Sequence, residues 1–220
     1  VAKVLADSTV LARYGYDNMG NMVYAGTPEY SVSRRFDVLG RMIQEDIRAA
    51  GGHDTLMSGD TILASDLSRD YTHITVDGGT VWVDGEHHFL SLVLVNGATV
   101  HHLAADVDNA HTFRIFARDS IHLDATSSIN LVGLGYLGGG RGGNTGTLGR
   151  TEGNSTVGGS TPGSGGSHGG MGGPYLYQLL ELDTIGIAAR PYDDRLWPVE
   201  PGGGGGSNGN PGFNGGGVAH

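Results

Sequence analysis

The chain has 220 residues, enough to bury one large core or two small ones, and it contains 41 glycines and no cysteine. The glycines follow no Gly-X-Y period, which excludes collagen. The missing thiols exclude disulfides, a cysteine nucleophile and a cysteine-bound metal. Net charge is −10, from 13 basic and 23 acidic residues, and such a surface repels phosphate backbones and anionic membranes, so no nucleic acid is expected as partner. Residues 1–50 hold six charges of each sign, so the acidic excess lies beyond them. Glycine is uneven as well, with 11 in residues 1–132 and 30 in residues 133–217. No apolar run reaches the ~18 residues of a transmembrane helix, and no signal peptide is visible. The chain starts at Val1 and stops at His220 just after a glycine tract, which reads as a piece of a longer protein with further domains.

Two repeats organise the first half. Tyr16-Asp17 with Gly20 recurs twenty residues later as Phe36-Asp37 with Gly40. The expected structure is strand, turn, strand. The aromatic ends a strand and packs on its neighbour, the Asp side chain caps the turn backbone, and the Gly accepts a positive φ. Val32 to Phe36 and Arg41 to Ile47 supply strand-like flanks.

The string Tyr14-Gly15-Tyr16-Asp17-Asn18-Met19-Gly20-Asn21, with its second copy Arg34-Arg35-Phe36-Asp37-Val38-Leu39-Gly40-Arg41, resembles the RHS (YD) repeat. The resemblance covers residues 10–50. It implies β-strand shells of large secreted or surface proteins, some of which deliver toxins. The expected first domain is therefore residues 1–53.

A second period follows residue 70. Val76-Asp77-Gly78-Gly79-Thr80-Val81 recurs as Val95-Asn96-Gly97-Ala98-Thr99-Val100 at an offset of 19, and more weakly as Phe116-Ala117-Arg118-Asp119-Ser120-Ile121. Alternating segments flank each copy, and no helical period separates them. Short strands at a steady spacing predict an all-β fold, read as a parallel β-helix with Val, Ile and Leu inward and Asp, His and Thr outward. An antiparallel β-sandwich shows similar spacing and is the alternative. Gly78 and Gly97 are the turn glycines of this period.

These strings, continued by Ser127-Ser128-Ile129-Asn130 and by Gly165-Gly166-Ser167-His168-Gly169-Gly170-Met171-Gly172-Gly173, resemble the glycine-rich right-handed β-helix (pectin-lyase-like) segments of giant bacterial surface proteins. The resemblance spans residues 60–220 and implies an extracellular or cell-surface location, usually without assigned activity. Residues 54–220 are the expected second domain. Tracts 138–173 and 201–217 are read as ordered protrusions with backbone packed on backbone, against the alternative of plain linkers. The apolar island from Tyr175 to Ile187 favours order, because Leu179, Leu180, Leu182, Ile185 and Ile187 need burial. His168 and Met171, nearly alone among glycines, favour it too.

Candidate chemistry is sparse. His87-His88, His101-His102, His111 and His122 have no metal-ligand spacing and are read as outward-facing strand and turn residues, with no metal expected. Asp77, Asp84, Glu86, Asp106 and Asp108 are turn acids that calcium could use, though no calcium-loop motif appears. A polysaccharide lyase or hydrolase would need an acid–base cluster. Asp106, Asp108, Arg114 and Arg118 are the best available, with Asp193-Asp194-Arg195 next. Trp82 is the candidate sugar platform, with Trp197 behind it. No phosphate loop exists, since Lys3 is the only lysine.

The functional expectation is a non-catalytic structural or adhesive segment of a large extracellular protein. Two alternatives stand beside it: a polysaccharide-binding or polysaccharide-cleaving β-helix, and the scaffold of an RHS-type toxin-delivery protein. Because ordered glycine is entropically costly, limited proteolysis is expected to cut residues 140–165 before residues 74–132. First cleavage within 74–132 would overturn this division of the chain.

Overall fold

The computed structural model describes residues 2–4, 10–27, 30–49, 51–175, 186–194 and 196–219. Among them there is no α-helix, only strands and one short 3-10 turn at Glu152–Asn154. The chain divides into two compact units. The first comprises Val1–Trp82, Glu86–Val100 and Ile115–Ile129, and the second Val83–Gly85, His101–Arg114 and Asn130–His220.

The first unit opens with an antiparallel meander. Its strands are β1 (Ala2–Val4), β2 (Val10–Tyr16), β3 (Met22–Gly26), β4 (Tyr30–Phe36) and β5 (Met42–Ala49), in sequence order. The β2–β3 and β4–β5 hairpins use one device twice. Asp17 Oδ1 accepts the amides of Met19 and Asn21 at 2.9 and 2.8 Å, and Asp37 Oδ1 accepts those of Leu39 and Arg41, both at 2.9 Å. Gly20 and Gly40 sit at φ of 82° and 74°, where a Cβ is disfavoured. Each hairpin also carries a register shift just before its aromatic, Tyr16 or Phe36. Tyr16 is 53% exposed, so it ends the strand without the expected packing. The buried aromatic is Tyr24 on β3.

From His53 the strands alternate between two sheets. One holds β6 (His53–Leu56), β8 (His73–Asp77), β10 (Gly85–Val95) and β12 (Phe113–Leu123), and the other β7 (Thr61–Ile62), β9 (Thr80–Val83), β11 (Thr99–His101) and β13 (Ser128–Ile129). The β6–β8, β8–β10 and β11–β13 pairs are parallel. This excludes the antiparallel sandwich for these strands. Leu56, Ile62, Ile74, Val76, Val81, Leu92, Leu94 and Val100 are buried, as period-two alternation requires.

The turns between the two sheets bond turn to turn. Gly59 N donates to Thr80 O at 2.8 Å, Gly78 N to Val95 O at 3.0 Å, Thr99 N to Gly79 O at 2.8 Å, and Ser128 N to Ala98 O at 2.8 Å. Gly78 and Gly97 adopt φ of 69° and 77°. Two details differ from the sequence alignment. Val76 pairs with Leu94 rather than Val95, and Leu94 is the buried one, so turn 96–98 carries the extra residue. The supposed third turn, Phe116 to Ile121, lies inside β12. The actual third turn is Asp124 to Ser127, displaced because residues 102–112 intervene before β12. There Asp124 accepts the amides of Thr126 and Asn96 at 2.9 and 2.7 Å.

A buried ionic cluster holds the meander to these strands. Asp70, fully buried, accepts Arg13 Nη1 of β2 at 2.7 Å and faces His87 Nδ1 of β10 at 3.1 Å. Removing one partner of such a pair leaves an uncompensated charge, a loss of about 3–5 kcal/mol.

The second unit packs backbone against backbone. The extended segment Gly202–Ser207 donates its amides in three directions. Gly202 and Gly205 donate to Gly216 O and Phe213 O (2.8 and 2.9 Å), Gly203 and Gly206 to Ser167 O and Ser164 O (3.0 and 2.9 Å), and Gly204 and Ser207 to Arg150 O and Thr147 O (both 2.8 Å). A β-strand serves two neighbours; service to three at every third residue is the geometry of a polyproline-II-type chain. Tyr136 and Gly139 donate back to Gly202 O and Gly205 O at 3.0 and 2.9 Å. A methyl group on Gly204 would fall on the Leu137 carbonyl, and on Gly206 on the Thr161 carbonyl. Buried Ser160, Ser164 and Ser167 satisfy further carbonyls with their hydroxyls. Of the apolar island, Leu179, Leu180, Leu182 and Ile185 lie outside the described residues, and Ile187 is exposed rather than buried.

Gly204 and Gly216 separate the two roles of glycine. Neither has a positive φ, and only Gly204 lacks room for a Cβ. Gly204→Ala is therefore expected to destabilise by at least about 1–3 kcal/mol, and Gly216→Ala to be neutral or stabilising by about 0.4–1 kcal/mol. Denaturant midpoints read both. Equal effects would show that the segment is not packed as described.

Candidate functional site

Three of the four carboxylates proposed for catalysis, Asp106, Asp193 and Asp194, accept hydrogen bonds from backbone amides. Asp106 Oδ1 accepts the amides of Asp108 and Asn109 at 2.8 and 2.7 Å, and these bonds hold its carboxyl below the usual range. Arg118 pairs with its neighbour Asp119 at 2.8 Å on the exposed part of β12. Asp108 is exposed and Arg114 half-buried, and none of the four lines any cleft described below. Asp193 Oδ2 accepts the amides of Val199 and Glu200 at 2.7 and 2.6 Å and faces His168 Nε2 at 3.1 Å. Asp194 Oδ1 caps Leu196 and Trp197 at 2.7 and 3.0 Å. Arg195 lies outside the described residues. Asp106, Asp193 and Asp194 thus cap backbone amides of their own loops.

The acids considered for calcium are similarly committed. Asp77 accepts Asn96 Nδ2 at 2.6 Å, Asp84 faces His111 at 3.0 Å, and Glu86 faces Arg13 and His88 at 3.4 and 3.2 Å. Among the described residues, no three His, Asp or Glu side chains group as metal ligands.

The histidines are not all outward-facing. His87 and His102 are fully buried, while their neighbours His88 and His101 are half-buried on the opposite face. His87 is held by Asp70 and stacks on Phe89 at 5.8 Å. His102 Nδ1 bonds the Leu103 carbonyl at 2.6 Å. His73 Nδ1 lies 2.8 Å from Ser91 Oγ, a hydroxyl–imidazole pair, and stacks on His53 at 4.7 Å. Ser91 is buried and His73 half-buried.

Trp82 alternates with buried Val81 and Val83 as expected and is itself half-buried; it lies in the first unit. The described clefts belong to the second unit. One, of about 470 Å³, is walled by the chain at 163–166, 203 and 205–206, all glycine but Ser164, and by Tyr175, Asn208, Asn210, Phe213 and Asn214. Another, of about 440 Å³, includes Glu152, Val157, Ile187, Arg190 and Tyr192. The smallest, of about 270 Å³, is lined by His168, Gly169, Asp194 and Pro198.

The first of these is built from turns. The chain leaves the central glycine segment at Ser207 and reverses around Gly209, at φ of 75°. Ser207 Oγ bonds the Asn210 carbonyl at 2.9 Å, and Gly212 N bonds Gly139 O at 2.8 Å. Phe213 gives its carbonyl to Gly205 and points its ring outward, 80% exposed. Arg141, on a tight turn braced by Asn144, lies over that ring at 5.3 Å. Sequence reasoning missed Phe213. The signal was there: Ser207-Asn208-Gly209-Asn210-Pro211 marks a turn, and Phe213 is the single aromatic of the 201–217 tract.

No protein family, curated protein or solved structure matches the chain.

Two of the histidines set a pH dependence. Burial holds His88 and His102 below their ordinary value of 6.5. The unfolded chain thus binds these protons at a pH where the folded chain does not. Stability is full above about pH 6.5 and falls as the pH drops below it. The aspartates, with an ordinary value of 3.8, add nothing in that window. The urea midpoint is expected to be lower at about pH 5.5 than at about pH 7.5. An equal midpoint would mean that neither ring is buried in neutral form.

Proposed function

We propose that this chain is a non-catalytic structural and adhesive segment of a large extracellular bacterial protein. In this reading an RHS-type meander leads into a right-handed parallel β-helix, and a glycine bundle projects side chains for contact. The observation that carries it is the glycine bundle. Backbone packed on backbone makes a stiff framework that needs few apolar side chains inside. Phe213, Val157, Met171 and Ile187 are accordingly left exposed on it. In this reading these exposed side chains are the groups offered for contact. The turn-to-turn bonds and the strands that alternate between two sheets support the β-helix reading. The paired hairpins of Asp17 and Asp37 support the RHS reading. Acids that cap their own turns argue against catalysis, because a general acid or base must be able to give up or accept its proton at substrate.

The test passes acidic and neutral polysaccharides over the 220-residue chain and scores both retention and chain cleavage. Retention without cleavage is expected. Cleavage that disappears in Asp106→Asn or Asp108→Asn would overturn the non-catalytic reading.

A further inference from the structure

We propose that the 470 Å³ cleft beside Phe213 is a subsite for a neutral hexose glycan. The proposal rests on the adhesive reading and deepens it by naming the ligand class and the residues that hold it. The cleft falls within the about 300–1,000 Å³ of small-ligand sites. Its side-chain wall is Ser164, Tyr175, Asn208, Asn210, Phe213 and Asn214, with Pro211 at the turn, and no Asp, Glu, His, Lys or Arg is among the described residues that line it.

The chemistry of that wall matches a pyranose. A hexose has a face of C–H groups and a rim of hydroxyls. The C–H face is desolvated favourably against an aromatic ring. Phe213 offers such a ring, with Arg141 lying over it 5.3 Å from its centroid. The rim needs groups that both donate and accept. Each Asn amide supplies two donors and an acceptor. The side chains of Asn208 and Asn210 are exposed and make no hydrogen bond with other described residues.

The frame is held before any ligand arrives, which lowers the ordering cost of binding. Gly205 N bonds Phe213 O at 2.9 Å. Asn214 is braced at both ends of its amide, accepting from Gly138 N at 3.0 Å and donating to Gly133 O at 3.2 Å. The ligand class follows from charge. Among the described residues that line the cleft there is no cation to pair a uronate or sulfate, Arg141 beside it being stacked over the Phe213 ring, and the net charge of −10 repels polyanions.

The experiment titrates the 220-residue chain with hexasaccharides of glucose, galactose and mannose, and with galacturonate hexasaccharide, by calorimetry. The expected result is binding of at least one neutral series and weaker or no binding of the uronate. Phe213→Ala should weaken that binding about tenfold, and Asn208→Ala with Asn210→Ala by a similar factor. Trp82→Ala should leave it unchanged. Phe213 and both asparagines are exposed, so these variants are expected to fold, and an unchanged urea midpoint verifies it. Neutral-sugar binding that survives Phe213→Ala and the asparagine double variant overturns the cleft but leaves the adhesive reading intact. Preference for the uronate overturns the neutral class. Binding of no sugar, by a chain that also retains no polysaccharide, overturns both readings.

Discussion

The closest constraint in this molecule is the approach of one backbone to another without side chains between. Around Gly202–Ser207, carbonyls and amides of neighbouring segments occupy the places where Cβ atoms would stand. The conformation itself is ordinary there, since Gly204 has no positive φ. Glycine is required for space rather than for torsional freedom. The entropic cost of ordering glycine, about 0.5–1 kcal/mol per residue relative to alanine, is offset by hydrogen bonds to several neighbours at once. Everything that surrounds the segment follows from this. The serines at 160, 164 and 167 turn their hydroxyls to carbonyls, and Phe213, Val157, Met171 and Ile187 are left exposed.

That exposure links packing to surface. A conventional core would have drawn Phe213 or Ile187 inside. A backbone core has no room for them. The result is a rigid frame with isolated apolar and amide groups on its exterior. Tyr136 and Tyr192, the large buried rings of this unit, have polar ends satisfied by the Glu200 carboxylate and the Pro201 carbonyl.

In the first unit the recurring economy is the capped turn. Asp17, Asp37 and Asp124 each use carboxylate oxygens on amides two to four residues ahead. These bonds favour the charged form, and all three carboxyls are held below the usual value. For Asp17 the Asn21 side chain contributes most, for Asp37 the Arg41 amide, and for Asp124 the Ser127 hydroxyl. Asp70 departs from this pattern: it is buried and joins Arg13 of the meander to His87 of β10.

The sequence by itself determined what depends on neighbours a few residues away. The Asp-x-x-Gly turns, the alternation of Trp82 with Val81 and Val83, and the all-β character are local, because turn torsions and strand period are set within one hairpin. Tertiary structure decided whatever depends on register and on which chains meet. Val95 aligns with Val76 in sequence, but Leu94 is its partner, since a one-residue slip exchanges the faces of a strand. His87 and His102 look like surface residues until a distant segment covers them. Asp106 and Arg118 resemble a site until their oxygens and nitrogens are seen to be taken by their own neighbours. The glycine tracts are the extreme case. Their composition permits a linker or a bundle equally, and only the three-way hydrogen bonding of residues far apart in the chain selects the bundle and turns Phe213 outward.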